Sequence, residues 1–427
     1  MTSRREALLL ALGGAAALAG CGRPAAERRT DRILLWIAPN AAEESFWKVA
    51  VARWNAARLG LPVQFTTIPT AGNSEDTVLS ALVAGTEPDL CTNVFSGFAV
   101  QLAALGQVVN LAAMPGYDAL LDRRHMRSIM AGWQQGTQVA ALPIYSSPTL
   151  LWWRADLLEQ HGFGAAPATY DDVYRFCERY AVRQSRYGMQ VIAGRAWQDR
   201  WFDFIAYYYA ASGGQPYLAG THALYDNAAG RQAAGFIDRM YRRGWTALDF
   251  DAEEPLVSGL AAGAVRGPWD VERFANIYPE TLARITVGPM IAPVTGTAPA
   301  STFSDSKGAV IFRSSRVQRE AFAFLSWALG EEALNLLWLQ RTGLSPARDD
   351  LLINPAFADY YRGNAIARAY AANVATARPP ALSEQTIDIQ KIMSARLVEP
   401  LMLGSASPAA ALADAVARTD RMLEVAA

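Results

Sequence analysis

An unbroken apolar run, Ile33-Leu34-Leu35-Trp36-Ile37, has the length of a strand covered on both faces. Beyond Pro39 and Asn40, apolar positions at Phe46, Trp47, Val49, Ala50 and Trp54 fall at helical spacing until Gly60 and Pro62 stop the helix. Val63 to Thr67 predicts a second strand and Asn73 to Ala84 a second helix, and Gly85 to Leu90 turns the chain into a third short strand. Strand and helix alternate, which predicts a parallel α/β sheet. Ala141 to Ile144 and the run from Leu150 then read as two strands separated by a crossing that holds Pro148. If the second is a strand, Trp152 and Trp153 face opposite ways and at least one belongs to a core. Thr169-Tyr170-Asp171-Asp172 opens a helix as a capping box, with Asp where Glu is more usual. In the helix Trp197 to Ala211, residues Trp197, Trp201, Phe204 and Tyr208 share one face, and Ser212-Gly213-Gly214 ends it. A helix over Ala228 to Arg243 follows, then a small-residue strand at Ala261 to Ala264 stopped by Gly267-Pro268. Val287 to Pro293 reads as an edge strand, and Val317 to Leu329 and Glu331 to Leu339 as two helices.

Composition adds a class. At 427 residues, 52% hydrophobic and 19% charged, the chain has room for two domains of globular character. A formal charge of −1 without basic blocks argues against nucleic acid as a partner. Twelve Trp and sixteen Tyr exceed ordinary usage, and an aromatic surplus is what a carbohydrate site requires. At the N-terminus Arg4-Arg5 precede the apolar run Ala7 to Gly20, which is shorter than the ~20 residues a membrane span needs and reads as a signal peptide. Leu18-Ala19-Gly20-Cys21 resembles a bacterial lipobox, so Cys21 is expected to carry a lipid anchor. Ser3-Arg4-Arg5 also resembles a twin-arginine signal, with Ala7 where a bulky residue is preferred. Gly22 to Arg32 is polar and reads as a tether.

Catalytic and cofactor motifs are missing. His125, His161 and His222 are scattered, and no metal-spaced His or Cys set, no Gly-x-Ser-x-Gly elbow and no phosphate-binding Gly-Lys-Ser/Thr occurs, so no cofactor is expected. The doublets Glu43-Glu44, Glu253-Glu254, Glu331-Glu332 and Asp349-Asp350 point apart on a helix and suit helix N-termini better than a facing catalytic pair. Cys91 and Cys177 either form one disulfide or stand as separate core thiols; a strand and a helix position favour the second. In open α/β sheets ligands bind beyond the carboxyl ends of strands, which nominates Asn40, Asn93 and Ser96; each also serves as an ordinary cap or turn residue. Asp305, in the loop Ser301 to Lys307, either meets ligand hydroxyls, pairs with Lys307 or caps a turn.

Three stretches in order carry a family resemblance: Gly60-Leu61-Pro62-Val63, Ala84-Gly85-Thr86-Glu87-Pro88-Asp89-Leu90, and Arg266-Gly267-Pro268-Trp269-Asp270 after the small-residue strand. Together they resemble family 1 extracellular solute-binding proteins, the maltose-binding group that serves bacterial ABC importers. The resemblance implies an α/β, two-lobed periplasmic-binding-protein fold. Each lobe would be a mainly parallel sheet flanked by helices, and the two would be joined by a multi-crossing hinge. It divides the chain into a signal peptide 1–20, a lipidated tether 21–32, a first lobe 31–143 plus 300–346, and a second lobe 144–299 plus 347–427. It places Trp269 and Asp270 in the cleft, Tyr145 and Ser147 on its floor, and Trp201 and Asp203 early in a sugar-contacting helix. For Trp269 the other reading is a core residue, and the aromatic stripe that holds Trp201 is equally a core face.

The implied protein is an extracytoplasmic monomer that captures a sugar or polyol and presents it to the transmembrane subunits of an ABC permease. Two other functions are compatible with the residues. A lipid-anchored glycoside-active enzyme needs two carboxylates facing each other about 5 to 9 Å apart. A polyamine receptor needs several cleft carboxylates, for which Asp203, Asp270 and Asp305 are on offer.

Overall fold

The computed structural model describes residues 30–69, 74–294 and 300–426; the signal segment 1–20, Cys21 and most of the tether 21–32 lie outside the described residues. β1 (Ile33–Ile37), α1 (Ala41–Ala57), β2 (Val63–Thr67), α2 (Ser74–Ala84), β3 (Leu90–Val94) and α3 (Ser96–Ala104) alternate as the apolar pattern predicts, and β4 (Leu142–Pro143) closes this half. The next part holds β5 (Leu150–Arg154), α4 (Tyr170–Tyr180), β6 (Tyr187–Gln190), α5 (Trp197–Ser212) and α6 (Ala228–Arg242). It continues through β7 (Ala261–Arg266), α7 (Trp269–Ile277) and β8 (Ile285–Gly288). The chain then returns through β9 (Thr302–Phe303) to β10 (Gly308–Ile311), α8 (Gln318–Gly330) and α9 (Glu332–Thr342). Last come α10 (Ala365–Ala372), β11 (Ala377–Arg378) and α11 (Pro408–Ala426).

Two sheets result, ordered β2-β1-β3-β10-β4 and β8-β5-β7-β6. The ladders are more mixed than a parallel α/β reading suggests. β10 runs antiparallel to β3 and β4, and β5 antiparallel to β7 and β8. The register explains the mixture. Gly308 opens β10 opposite Val94 and Pro143, the last residues of β3 and β4, and Leu150 opens β5 opposite Arg266, the last residue of β7. β10 and β5 are the strands that enter their sheets directly from a crossing, so they run outward. The other strands run inward, and their carboxyl ends converge on the connection between the sheets.

Each sheet has its own core. One cluster is built on Leu35, Trp47, Leu90, Val310, Phe324 and Trp338, the other on Trp153, Phe176, Tyr207, Phe236 and Leu401. Trp152 and Trp153 are both fully buried on opposite faces of β5, Trp152 in a smaller cluster with Leu256, Ala264 and Phe274. A further cluster from Leu339 to Val374 packs against Ile129, and Tyr370 accepts the Trp152 indole N–H at 2.8 Å. Cys91 and Cys177 are free and buried in different cores, so they are separate thiols.

The connection is a narrow ladder of crossing segments. Thr149 N–H donates to Phe303 O at 2.9 Å, Asp305 N–H to Ser147 O at 3.0 Å, and Ser146 N–H to Ser345 O at 2.9 Å. β9 pairs in parallel with β11, and Ser304 N–H donates to Arg378 O at 2.8 Å. Side chains add a chain of hydroxyls: Ser304 Oγ lies 3.0 Å from Ser146 Oγ and 2.6 Å from Ser306 Oγ, and accepts Ser147 N–H at 3.1 Å.

Core packing in the second lobe depends on small residues under the indoles. A Cβ at Gly263 would meet Cε3 and Cζ3 of the buried Trp153 ring at 2.6 Å. Gly263→Ala is therefore expected to destabilise the protein by about 1–3 kcal/mol through overpacking. A lower urea midpoint at unchanged m value checks this.

Candidate functional site

β7 delivers its end to the hinge because Arg266 pairs with Leu150, the residue that follows the first crossing. Gly267 and Pro268 turn the chain there, and α7 starts at Trp269. The indole lies flat over Gly267: a Cβ at that position would sit 2.1 Å from Cη2 and Cζ3 of the ring. Trp269 is 41% exposed, unusual for the largest apolar side chain. Behind it the Phe202 ring is 6.0 Å away at 73°, and Phe202 in turn packs on Phe303 of the second crossing at 4.5 Å. Trp201 meets Phe303 edge-on at 5.3 Å. An aromatic wall thus runs from the hinge to an open indole face.

Two predicted residues on this side face inward. Trp201 is buried beneath Phe303, and Asp203 is 1% exposed with Oδ2 accepting Ala193 N–H at 2.6 Å. Burial pushes the Asp203 carboxyl up to about 8, with only Ala193 N–H and the distant charge of Arg266 pulling it down. In the described structure, then, Trp201 and Asp203 belong to the lobe's interior and not to an open face. Asp270 is half-buried and engaged: Arg273 Nη2 and Nε approach Oδ1 at 3.1 and 3.2 Å, and Arg266 Nε lies 3.4 Å from Oδ2.

On the other side, carboxyl ends of the first sheet supply polar groups. Exposed Asn40 caps α1, its Oδ1 accepting the N–H groups of Ala42 and Glu43 at 2.9 and 3.1 Å. Glu43, in the first turn, is 6% exposed, and burial pushes it up to about 7 against the pull of nearby Lys307. Tyr145 stacks on Trp338 with centroids 5.7 Å apart, and its hydroxyl is held well above its ordinary value by burial, with Glu43 and Asp305 adding to the effect. Lys307 Nζ stands 5.3 Å from the centroid of the half-buried Phe95 ring. Asn93 Nδ2 donates to Ser74 Oγ at 2.9 Å, and buried Ser96 donates to Pro380 O at 3.4 Å.

The hinge joins these two walls. Phe303 belongs to the aromatic wall and Asp305 to the polar one, and two residues of extended chain span at most about 7 Å. Ser147, fully buried between them, has no hydrogen-bond partner for its Oγ among the described residues. Tyr145, Ser147 and Asp305 thus lie on the crossing segments, the aromatic wall links Trp269 to Phe303 of the second crossing, and Asn40 and Asn93 stand at the carboxyl ends of β1 and β3. Glu43, Lys307, Phe95 and Phe202 were not anticipated. The doublet Glu43-Glu44 read as a helix-start feature, and Lys307 only as a partner for Asp305. A separate groove of about 640 Å³ lies at the other end of α5, lined by Gln135, Tyr209, Gly214, Arg378, Pro380 and Leu382. At about 1.5 Å per helical residue Tyr209 on its wall is about 10 Å along α5 from Phe202, and none of the predicted residues lines the groove.

Residues 50–362 match the family model described as bacterial extracellular solute-binding protein. This chain belongs to that family. The solute-binding protein is similar in structure to an uncharacterized protein of Listeria monocytogenes, with TM-score 0.85, 26% identity, and coverage of 92% of this chain and 100% of that one. It also resembles a cyclic alpha-maltosyl-1,6-maltose binding protein from Arthrobacter globiformis (TM-score 0.78, 16% identity, 92% and 99% covered). The sugar-binding protein MalE from Xanthomonas citri is as near (TM-score 0.78, 19% identity, 92% and 98% covered). In sequence, a Brucella abortus protein named as a binding protein is 23% identical over 296 residues, 66% of this chain and 67% of its own length. The fold is thus the two-lobed α/β architecture of periplasmic binding proteins, and the family is one of binding proteins that act outside the cytoplasm.

Around the hinge the solute-binding protein offers an aromatic face, carboxylates, one ammonium and hydroxyls. Among the described residues no group of three His, Cys, Asp or Glu is placed to hold a metal ion, and no helix is long and apolar enough to cross a membrane. This set can stack a flat ring face and exchange hydrogen bonds with it.

The buried carboxyl of Asp203 generates a test. Its folded value, about 8, lies above the ordinary carboxylate value near 4, so the folded state keeps a proton that the unfolded state releases between those limits. The resulting stability is full below about pH 4 and is lost as pH rises to about 8. Asp203→Asn keeps an acceptor for Ala193 N–H and removes the titration. Its stability relative to the parent is expected to rise by on the order of 4 kcal/mol between pH 5 and pH 9, read from urea midpoints at each pH.

Proposed function

We propose that this solute-binding protein captures a sugar or related polyol between its lobes and delivers it to the transmembrane subunits of an ABC importer. The observation that carries the reading is the open indole of Trp269, held flat over Gly267 and backed by Phe202 and Phe303. A pyranose presents a flat apolar C–H face and a rim of hydroxyls. Stacking on an indole covers the first, by analogy with aromatic pairs worth about 0.5–1.5 kcal/mol beyond area burial. Glu43, Asp305, Asn40 and Asn93 are positioned on the first lobe to take the hydroxyls, and Ser147 and Tyr145 lie on the floor. Maltose- and other saccharide-binding proteins share the fold, which favours a carbohydrate over a polyamine.

A ligand that touches both walls binds the closed arrangement better than the open one, so capture shifts the hinge population toward closure. Permease subunits that recognise the closed form would then select loaded receptor. The lipobox-like Leu18-Ala19-Gly20-Cys21 supports a lipid anchor at Cys21 that keeps the receptor beside its importer. The lobes proposed for this motion are 31–143 with 300–346 and 144–299 with 347–427.

A thermal-shift screen of the soluble domain against mono- and oligosaccharides, polyols and polyamines tests the reading. A sugar is expected to raise the midpoint of the parent and hardly that of Trp269→Ala, and to be recovered unchanged. A response confined to polyamines, or hydrolysis of the sugar, overturns it. Gly267→Ala, whose Cβ occupies the place of the indole edge, is expected to weaken the same sugar by about tenfold while leaving the unliganded midpoint near that of the parent.

A further inference from the structure

We infer that Glu254 is a positioning residue for Trp269, locking the first turn of α7 to the end of β7 through two arginines; its weight in binding rests on the reading of Trp269 given above. Glu254 is 7% exposed and lies outside every motif that points to ligand contact. Its Oε1 accepts from Arg266 Nη2 at 2.8 Å and its Oε2 from Arg273 Nη2 at 2.7 Å. Arg266 is the last residue of β7, and Arg273 stands one turn into α7. Asp270 sits between them, with Arg273 Nη2 at 3.1 Å and Arg266 Nε at 3.4 Å. Four charges thus alternate in sign around a closed ring, and Trp269 lies in the segment from Arg266 to Arg273 that the ring ties together.

The two ends of that segment are anchored unequally. Arg266 is fixed from the sheet: Nη2 also donates to Gln190 Oε1 at 3.2 Å, and its carbonyl accepts the Tyr370 hydroxyl at 3.0 Å. Tyr370 in turn accepts the buried Trp152 indole N–H at 2.8 Å. The start of α7 is held more locally: Asp270 N–H donates to Gly267 O at 3.3 Å and Val271 N–H to Pro268 O at 3.2 Å, and Pro268 itself lacks an N–H. Phe274 is the buried residue of α7, and it lies beyond Trp269. The link through Glu254 therefore fixes the angle at which the indole leaves the sheet. Charge-assisted, two-armed pairs of this kind impose geometry as well as attraction. A stacking platform needs its supporting shell held to within about 0.5 Å.

Fluorine NMR of the mature protein labelled with 5-fluorotryptophan reads the indole directly. Trp269→Phe assigns the Trp269 resonance among those of the twelve tryptophans. Glu254→Gln loses one arm, because its amide nitrogen carries hydrogens that face a guanidinium. Arg273→Met removes the outer arm while keeping the buried Glu254–Arg266 pair and the packing on Phe274, and it carries the test if the first variant does not fold. In both variants the Trp269 resonance is expected to shift or broaden while those of Trp152 and Trp153, in the same sheet, stay in place. An unchanged Trp269 resonance overturns the inference. So does a common movement of all three resonances, which would mark a merely structural role.

Maltose titrations add the functional arm. Glu254→Gln is expected to raise Kd about tenfold in the parent and by less than about twofold in a Trp269→Ala background, the mark of a residue acting through its neighbour. Equal effects in both backgrounds overturn the inference. If Trp269→Ala leaves maltose affinity unchanged while the fluorine resonance responds to Glu254→Gln, the stacking reading falls and the positioning role stands.

Discussion

Two backbone hydrogen bonds, Thr149 N–H to Phe303 O and Asp305 N–H to Ser147 O, hold the first and second crossings side by side, and the site takes its position from them. Leu150 follows Thr149 directly, so the start of β5 is fixed at the ladder; because Arg266 pairs with Leu150, the end of β7 is fixed there too. On the other side Gly308 follows the second crossing and faces Val94 and Pro143. The same few bonds thus set the ends of β7, β3 and β4, which lead to Trp269, Phe95 and Tyr145, at the connection from segments far apart in the chain. No side-chain contact is needed for this, only the register of two sheets that share an edge of connection.

Strand direction follows from the same constraint. A strand that comes straight from a crossing runs outward, whereas strands reached through helices run inward. One outward strand lies inside each sheet, which makes the ladders mixed and leaves most carboxyl ends facing the hinge. That end is where open α/β sheets bind ligands.

Local signals carried much of this. The alternation of β1, α1, β2, α2 and β3 was legible because apolar runs and Gly or Pro breakers are properties of adjacent residues, and Trp269 was legible because Gly267-Pro268 ends a small-residue strand just before it. Distant pairings were not. Asp203 reads as a polar residue early in an aromatic helix, and nothing local says that its face turns toward Ala193 and away from solvent. Glu43 and Lys307 are far apart in the sequence, and the charge of one acts on the other only in three dimensions. Glu254 looked like half of a helix-start doublet because its arginine partners lie beyond a turn and a strand.

The hydroxyl chain in the hinge has a further property. In Ser146, Ser304 and Ser306 either member of each contact can serve as donor, since a hydroxyl carries one rotatable hydrogen and two lone pairs. The sense of the chain can therefore reverse by rotation of three hydrogens, with no heavy atom moving and no bond lost. The backbone amides of the ladder have a fixed polarity, whereas the serine chain beside them keeps its pairing in either sense.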